Sequence, residues 1–135
     1  MKGIVLASHA GMADGLLDAL TMFFGDDIHG ICSVGLRHGM GVDDFKKQLV
    51  FAIDSVDEGD GVIIFTDMFG GTPCNQALLF ANDHTKVIAG MNLPLLMEYL
   101  ASRDQDIDHL LEKAKSSLMD ASAFLLQDHH DDDDD

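Results

Sequence analysis

His9, Asp67 and the run Gly70-Gly71-Thr72-Pro73 are the residues of this chain whose types and spacing can do chemistry together. A histidine at neutral pH offers one nucleophilic ring nitrogen. A carboxylate on the other nitrogen decides which one it is and stabilises positive charge developing on the ring. Asp67 suits that second role. Gly70 and Gly71 let the backbone approach a phosphate closely, while N–H groups opening the next helix and the Thr72 hydroxyl can donate to its oxygens. This is a receptor for an anion built without Lys or Arg. Taken singly, a His or Asp at a strand end is an ordinary structural feature, and Gly-Gly-Thr-Pro is a good turn and helix start. Their coincidence at neighbouring strand ends is what points to phosphate chemistry.

The elements that must position them follow from the hydrophobic pattern. Short apolar runs alternate with helical-period segments, which argues for βαβ units feeding a mostly parallel sheet with helices on both faces. Four strands are predicted: Gly3 to Ala7, Ile28 to Val34, Val62 to Phe65 and Lys86 to Met91. The first and third are continuously apolar, as central strands covered on both faces should be. In such sheets, sites form beyond the carboxyl ends of the strands where strand order reverses. With the order 2-1-3-4, His9 and Asp67 are neighbours at that switch point.

Met12, Leu16, Leu20 and Phe23 mark a first helix closed by Gly25, and Phe45, Leu49, Ala52 and Val56 a second, with Asp43 and Asp44 in its first turn. Thr72-Pro73 opens a third in cap-then-Pro order, and Pro94 a fourth. Leu110, Leu111, Ala114, Leu118, Ala121 and Leu125 predict one long amphipathic helix weakened by Ser116, Ser117 and Ser122, with Ser122 to Leu126 as an alternative edge strand.

At 135 residues the chain predicts one domain, residues 1–127, followed by an acidic, disordered tail, residues 128–135, that carries six aspartates. Lys+Arg number 8 against Asp+Glu 24, and the net charge of -16 argues against nucleic acid as a partner. No segment approaches the length of a membrane span or has a signal-peptide pattern. Cys32 and Cys74 show neither metal-ligand spacing nor a disulfide framework, which fits reduced thiols in the cytoplasm. His129 and His130 lie in a tail without preorganised geometry, so neither a metal nor another cofactor is expected.

Three segments resemble the IIA components of the mannose family of the bacterial sugar phosphotransferase system (PTS). They are the opening strand ending in Ser8-His9, the run Phe65-Thr66-Asp67-Met68-Phe69-Gly70-Gly71-Thr72-Pro73-Cys74-Asn75, and the block Ala89-Gly90-Met91-Asn92-Leu93-Pro94-Leu95-Leu96. The likeness spans Gly3 to about Leu126. It implies that His9 is phosphorylated, that Asp67 orients it, and that the segment around Thr72 belongs to the phosphate pocket. It further implies the phosphocarrier HPr as donor, a IIB component as acceptor serving uptake of a sugar or sugar acid, and a homodimer. The phosphoprotein subunit of dihydroxyacetone kinase and some transcription regulators carry a similar domain, though Gly-Gly-Thr-Pro resembles the transporter branch more closely.

The chemistry so implied is two in-line transfers that require no metal and are carried by positioning and by neutralisation of the phosphoryl oxygens. Because His9 must meet two proteins, it should lie exposed in a shallow depression among Met12, Met40, Met68 and Phe69. Arg37 and His38 follow the second strand near the crevice, where a solvated loop is the plainer expectation. Two rivals are a regulatory module of the same family and a receiver-like domain phosphorylated on Asp67.

Overall fold

A computed structural model describes residues 1–126. Four strands, β1 (Gly3–His9), β2 (Ile31–Leu36), β3 (Val62–Thr66) and β4 (Thr85–Ala89), alternate with α1 (Met12–Phe24), α2 (Val42–Val56) and α3 (Thr72–Leu78). Two more helices, α4 (Leu93–Ala101) and α5 (Ile107–Lys115), follow β4, and residues 121–126 are also helical. The sheet is parallel throughout and runs β2-β1-β3-β4, the expected order. No helix among the described residues is long and apolar enough to cross a membrane.

The alternating faces of the central strands explain the layers, since successive side chains point to opposite sides of a sheet. Ile4 and Leu6 of β1 with Ile63 and Phe65 of β3 face one core, closed by Leu20 of α1, Leu96 and Tyr99 of α4 and Leu110 of α5. Val5 and Ala7 with Val62 and Ile64 face the other, closed by Phe45 and Leu49 of α2 and Ala77 of α3. Every residue of β1 before His9 is buried, so the strand delivers its last side chain to the surface from a fully packed base. Burial of so much apolar area at about 25 cal/mol per Å² makes β1 the fixed axis of the domain.

Four expectations are corrected. The second strand begins at Ile31, three residues later than expected, because His29-Gly30 form a turn with Gly30 at φ +64; it ends at Leu36, extending alongside His9. The fourth runs Thr85–Ala89 and stops where Gly90 turns at φ +85. The third helix is capped by Gly71, so Thr72 already lies in its first turn rather than at the cap. The long C-terminal helix is broken after Lys115: the hydroxyls of Ser116 and Ser117 donate to Lys113 O and Ala114 O, both at 2.7 Å, a local bonding that competes with helix continuation. Asp120 then accepts from the N–H of Ser122 at 3.0 Å and starts a helical turn, so residues 122–126 are not an edge strand. The acidic tail and its two histidines lie outside the described residues.

Candidate functional site

Two chain crossings bring the proposed residues together. β1 and β3 are adjacent and in register from Gly3 opposite Val62 to Ala7 opposite Thr66, so His9, two residues past that last pair, and Asp67, one past it, emerge at the same sheet end. Asp67 Oδ2 lies 2.7 Å from His9 Nδ1 and also accepts the His9 backbone N–H at 2.9 Å. The second oxygen, Oδ1, accepts the Met68 N–H at 3.0 Å. A carboxylate facing Nδ1 places the proton of the neutral ring on that nitrogen and leaves the lone pair on Nε2.

Burial pushes the Asp67 carboxyl up, but the hydrogen bonds from the His9 backbone and ring and from Met68, together with the ring's charge, outweigh it and hold the group below the usual carboxylate range. The Asp67 side chain is only 10% exposed, whereas that of His9 is 45% exposed. The pair therefore consists of a sheltered, ionised anchor and an accessible ring. That arrangement suits His9 as the nucleophile and leaves Asp67 poorly disposed to receive a phosphoryl group itself.

Nε2 faces the loop that follows β3. A Cβ built on Gly71 would stand 3.2 Å from Nε2 and 2.6 Å from Cε1, so the glycine backbone lies directly against the ring edge. Gly70 before it sits at φ +89, a conformation that favours glycine. The loop is braced by Asn75, whose Nδ2 donates to Gly70 O at 3.4 Å and whose N–H donates to Gly71 O at 2.9 Å. Thr72 follows in the first turn of α3, where backbone N–H groups have no acceptor within the helix. Of this run, Gly71 is the residue that lies against the Nε2 edge of the ring, with Gly70 before it and Thr72 after it in the chain.

The turn beyond His9 is equally determined. Ala10 adopts φ 47, rare for a residue with a side chain, and its N–H donates to Leu36 O at 2.8 Å. Ser8 holds this turn to α1: its fully buried hydroxyl accepts the Ala13 N–H at 2.7 Å and donates to His9 O at 3.0 Å. This role is absent from the sequence-level site. Its signal is a hydroxyl-bearing residue just before a helix start that lacks a conventional cap, since Gly11 supplies no side chain there.

Of the surrounding residues, Met12, Met68 and Phe69 are exposed, Phe69 at 78%, while Met40 is half-buried and packs on the core instead. Arg37 pairs with Asp14, which also accepts the Ser33 hydroxyl at 2.6 Å. The Ser33 bond pulls the Asp14 carboxyl down, and Arg37 adds to that pull against desolvation. The cation is thus held by α1, and His38 is solvent-exposed. His29 pairs with Glu58 at 2.6 Å, far from the ring of His9 in the fold. Cys32 and Cys74 are free thiols, half-buried and buried.

Comparison with known proteins identifies the family of the chain. The family model for EIIA-man, described as the PTS system fructose IIA component, matches residues 3–115 and so ends with α5 rather than near Leu126. The fructose-specific EIIA component of Bacillus subtilis is 28% identical, over 77% of this chain and 72% of its own. The sorbose-specific EIIA component of Lacticaseibacillus casei is also 28% identical, over 81% and 83%. The mannose-specific EIIAB component of Escherichia coli is 30% identical over 76% of this chain, which spans 32% of that longer protein. A solved PTS IIA protein associated with the fucose utilization operon of Streptococcus pneumoniae superposes with a TM-score of 0.83 at 32% identity, covering 92% of this chain and 96% of that one. The chain belongs to the mannose- and fructose-type IIA family of the sugar phosphotransferase system, a family of phosphotransferases.

Proposed function

We propose that His9 accepts a phosphoryl group on Nε2 from phosphohistidine of HPr and passes it to a IIB component, for uptake and phosphorylation of a sugar or sugar acid. The observation that carries this reading is the 2.7 Å contact between His9 Nδ1 and the Asp67 carboxylate, on a ring that is 45% exposed and has its Nε2 edge beside Gly71. In the first step the Nε2 lone pair forms a bond to phosphorus as the donor's P–N bond breaks and its electron pair returns to the donor ring. His9 then carries a proton on Nδ1 and a phosphoryl group on Nε2, and the positive charge of the ring is balanced by Asp67. The phosphoryl oxygens are received by the backbone N–H groups around Gly70 and Gly71 and by the hydroxyl and N–H of Thr72. The second step reverses these events toward IIB. No cofactor enters the scheme.

Met12, Met68 and Phe69 supply an apolar rim on which two different partners can dock in turn. The protein works in the cytoplasm as a homodimer. Support for self-association comes from Leu118, Phe124 and Leu125, which are exposed beyond α5. Sedimentation equilibrium giving a monomer at micromolar concentration would remove the dimer from this reading.

Two properties of the phosphoprotein test the relay. Label on His9 should be lost in acid and survive alkali, and it should pass to a purified IIB protein within seconds of mixing. An alkali-labile label would move the site to a carboxylate such as Asp67, and failure to pass label to any IIB acceptor would leave a regulatory module.

A further inference from the structure

At the opposite end of the sheet from His9, the amino ends of β1, β3 and β4 and the α4–α5 connection enclose a cleft of about 780 Å³. That is within the size range of sites for small organic ligands. Its floor is apolar, made by Ile63, Tyr99 and Ile107, with Tyr99 tilted against Phe65 at a ring separation of 5.6 Å.

The charges around it are unusual for this molecule. Of the 8 Lys and Arg residues in a chain of net charge -16, three, Lys2, Lys86 and Arg103, line this one cleft. Lys2 Nζ donates to His84 O at 2.9 Å, and Arg103 donates to Lys2 O at 2.7 Å and His29 O at 2.5 Å. These are neutral carbonyls; of the three aspartates that line the same cleft, Asp60 pairs with the amino terminus and lies near Lys2, which leaves Asp83 and Asp104 against the three cations. Lys86, exposed on the edge strand β4, forms no ion pair among the described residues.

In the same wall the Tyr99 hydroxyl and Arg103 Nε are buried without a hydrogen bond of normal geometry to any described residue, the guanidinium lying beside the hydroxyl. Tyr99 is 1% exposed, and the Arg103 guanidinium beside it opposes the upward push of burial on its phenol. A hydroxyl whose oxygen faces a cation turns its proton away from it and needs an acceptor. Native interiors rarely leave such a donor unpaired, which makes the Tyr99 hydroxyl at the wall of this cleft informative. The same cleft is lined by acceptors suited to hydroxyl donors: Asp83, Asp104, which also accepts the Ser102 hydroxyl, and the amide oxygen of Gln105.

We propose that this cleft binds a small polyhydroxylated anion, its charged end on Lys2, Lys86 and Arg103 and its hydroxyls on Asp83, Asp104 and Gln105. The cations select a phosphate or carboxylate, the carboxylates select hydroxyls on the same molecule, and the apolar floor accepts the carbon skeleton. The site is separate from His9 and does not depend on the phosphoryl relay.

The test is a titration of the full chain, in a buffer free of phosphate, followed by amide chemical shifts of Ser102, Gln105 and Lys86. Glucose 6-phosphate and gluconate supply the two kinds of anion, and glucose and inorganic phosphate each supply half of the chemistry. Saturable shifts with at least one of the two hydroxylated anions are expected, and which one binds identifies the charged group. Lys86→Ala should weaken that binding about tenfold, the cost of one charge-assisted contact. Tyr99→Phe, which keeps the ring on Phe65, should weaken it also, and both variants should leave phosphorylation of His9 unchanged. Absence of saturable shifts with both compounds, equal affinity in both variants, or equally tight binding of inorganic phosphate alone would each overturn the proposal.

Discussion

Gly71 lies against the edge of the His9 ring so closely that a single added carbon would stand 2.6 Å from Cε1. Contacts that short do not occur between real carbons, so Gly71→Ala must move either the ring or the loop. The Asp67 contact fixes the ring from its other side, and the displacement therefore falls on the geometry of attack. We expect the variant to fold and to accept phosphoryl groups on the order of 100-fold more slowly, as misplacement of a reacting group by about 1 Å does elsewhere. Single-turnover transfer at an unchanged melting temperature is the measurement; an unaltered rate would show that the ring has more room than this contact allows.

Asp67→Asn keeps the shape of the anchor and removes its charge. The amide can still bond the backbone N–H of His9, yet it no longer favours a proton on Nδ1 or a positive ring after transfer. A rate lower by about 10- to 100-fold, with the fold retained, is expected from loss of a group that orients the reacting one. Rapid-quench kinetics compare the two proteins directly.

The same carboxylate sets an acid-side dependence of stability. Its folded value is depressed, so the stabilisation is fully present above the unfolded value of about 4 and disappears as pH falls through the lower folded value. Denaturation of the parent and of Asp67→Asn from pH 7 to pH 2 should therefore show a gap that is constant at neutral pH and narrows below about pH 4. A gap independent of pH over that range would mean that the carboxylate gains nothing from its three donors.

Ser8→Ala removes the acceptor for the Ala13 N–H at the start of α1 and leaves a buried donor unpaired. Loss of a capping hydroxyl costs about 1 kcal/mol, and the turn that carries His9 loses its tie to the helix. Chemical denaturation should report the first effect, and slower amide exchange in the parent at Ala13 than in the variant the second.

Much of the site was legible because its parts are local and the sheet is simple. A continuous apolar run ending in Ser8-His9 and another ending before Asp67 identify two buried strands, and adjacency of strands one and three does the rest. What stayed hidden depends on distant partners. The late start of β2 follows from a turn at His29-Gly30 whose carbonyl is held by Arg103, a residue 74 positions away. The break after α5 reflects hydroxyls of Ser116 and Ser117 turning back on the helix, which periodicity alone reads only as weakness. Capping of α3 by Gly71 instead of Thr72 is a shift of one residue, yet it moves Thr72 from the cap into the first turn. The cleft lined from Lys2 to Gln105 gathers residues from both halves of the chain and leaves no mark in any one segment.

The most direct test of the relay is intact-protein mass after incubation with enzyme I, HPr and phosphoenolpyruvate. The parent should gain the mass of one phosphoryl group and His9→Ala should gain none, with circular dichroism of the two proteins unchanged. Equal phosphorylation of both would contradict the assignment of His9 as the phosphoryl acceptor.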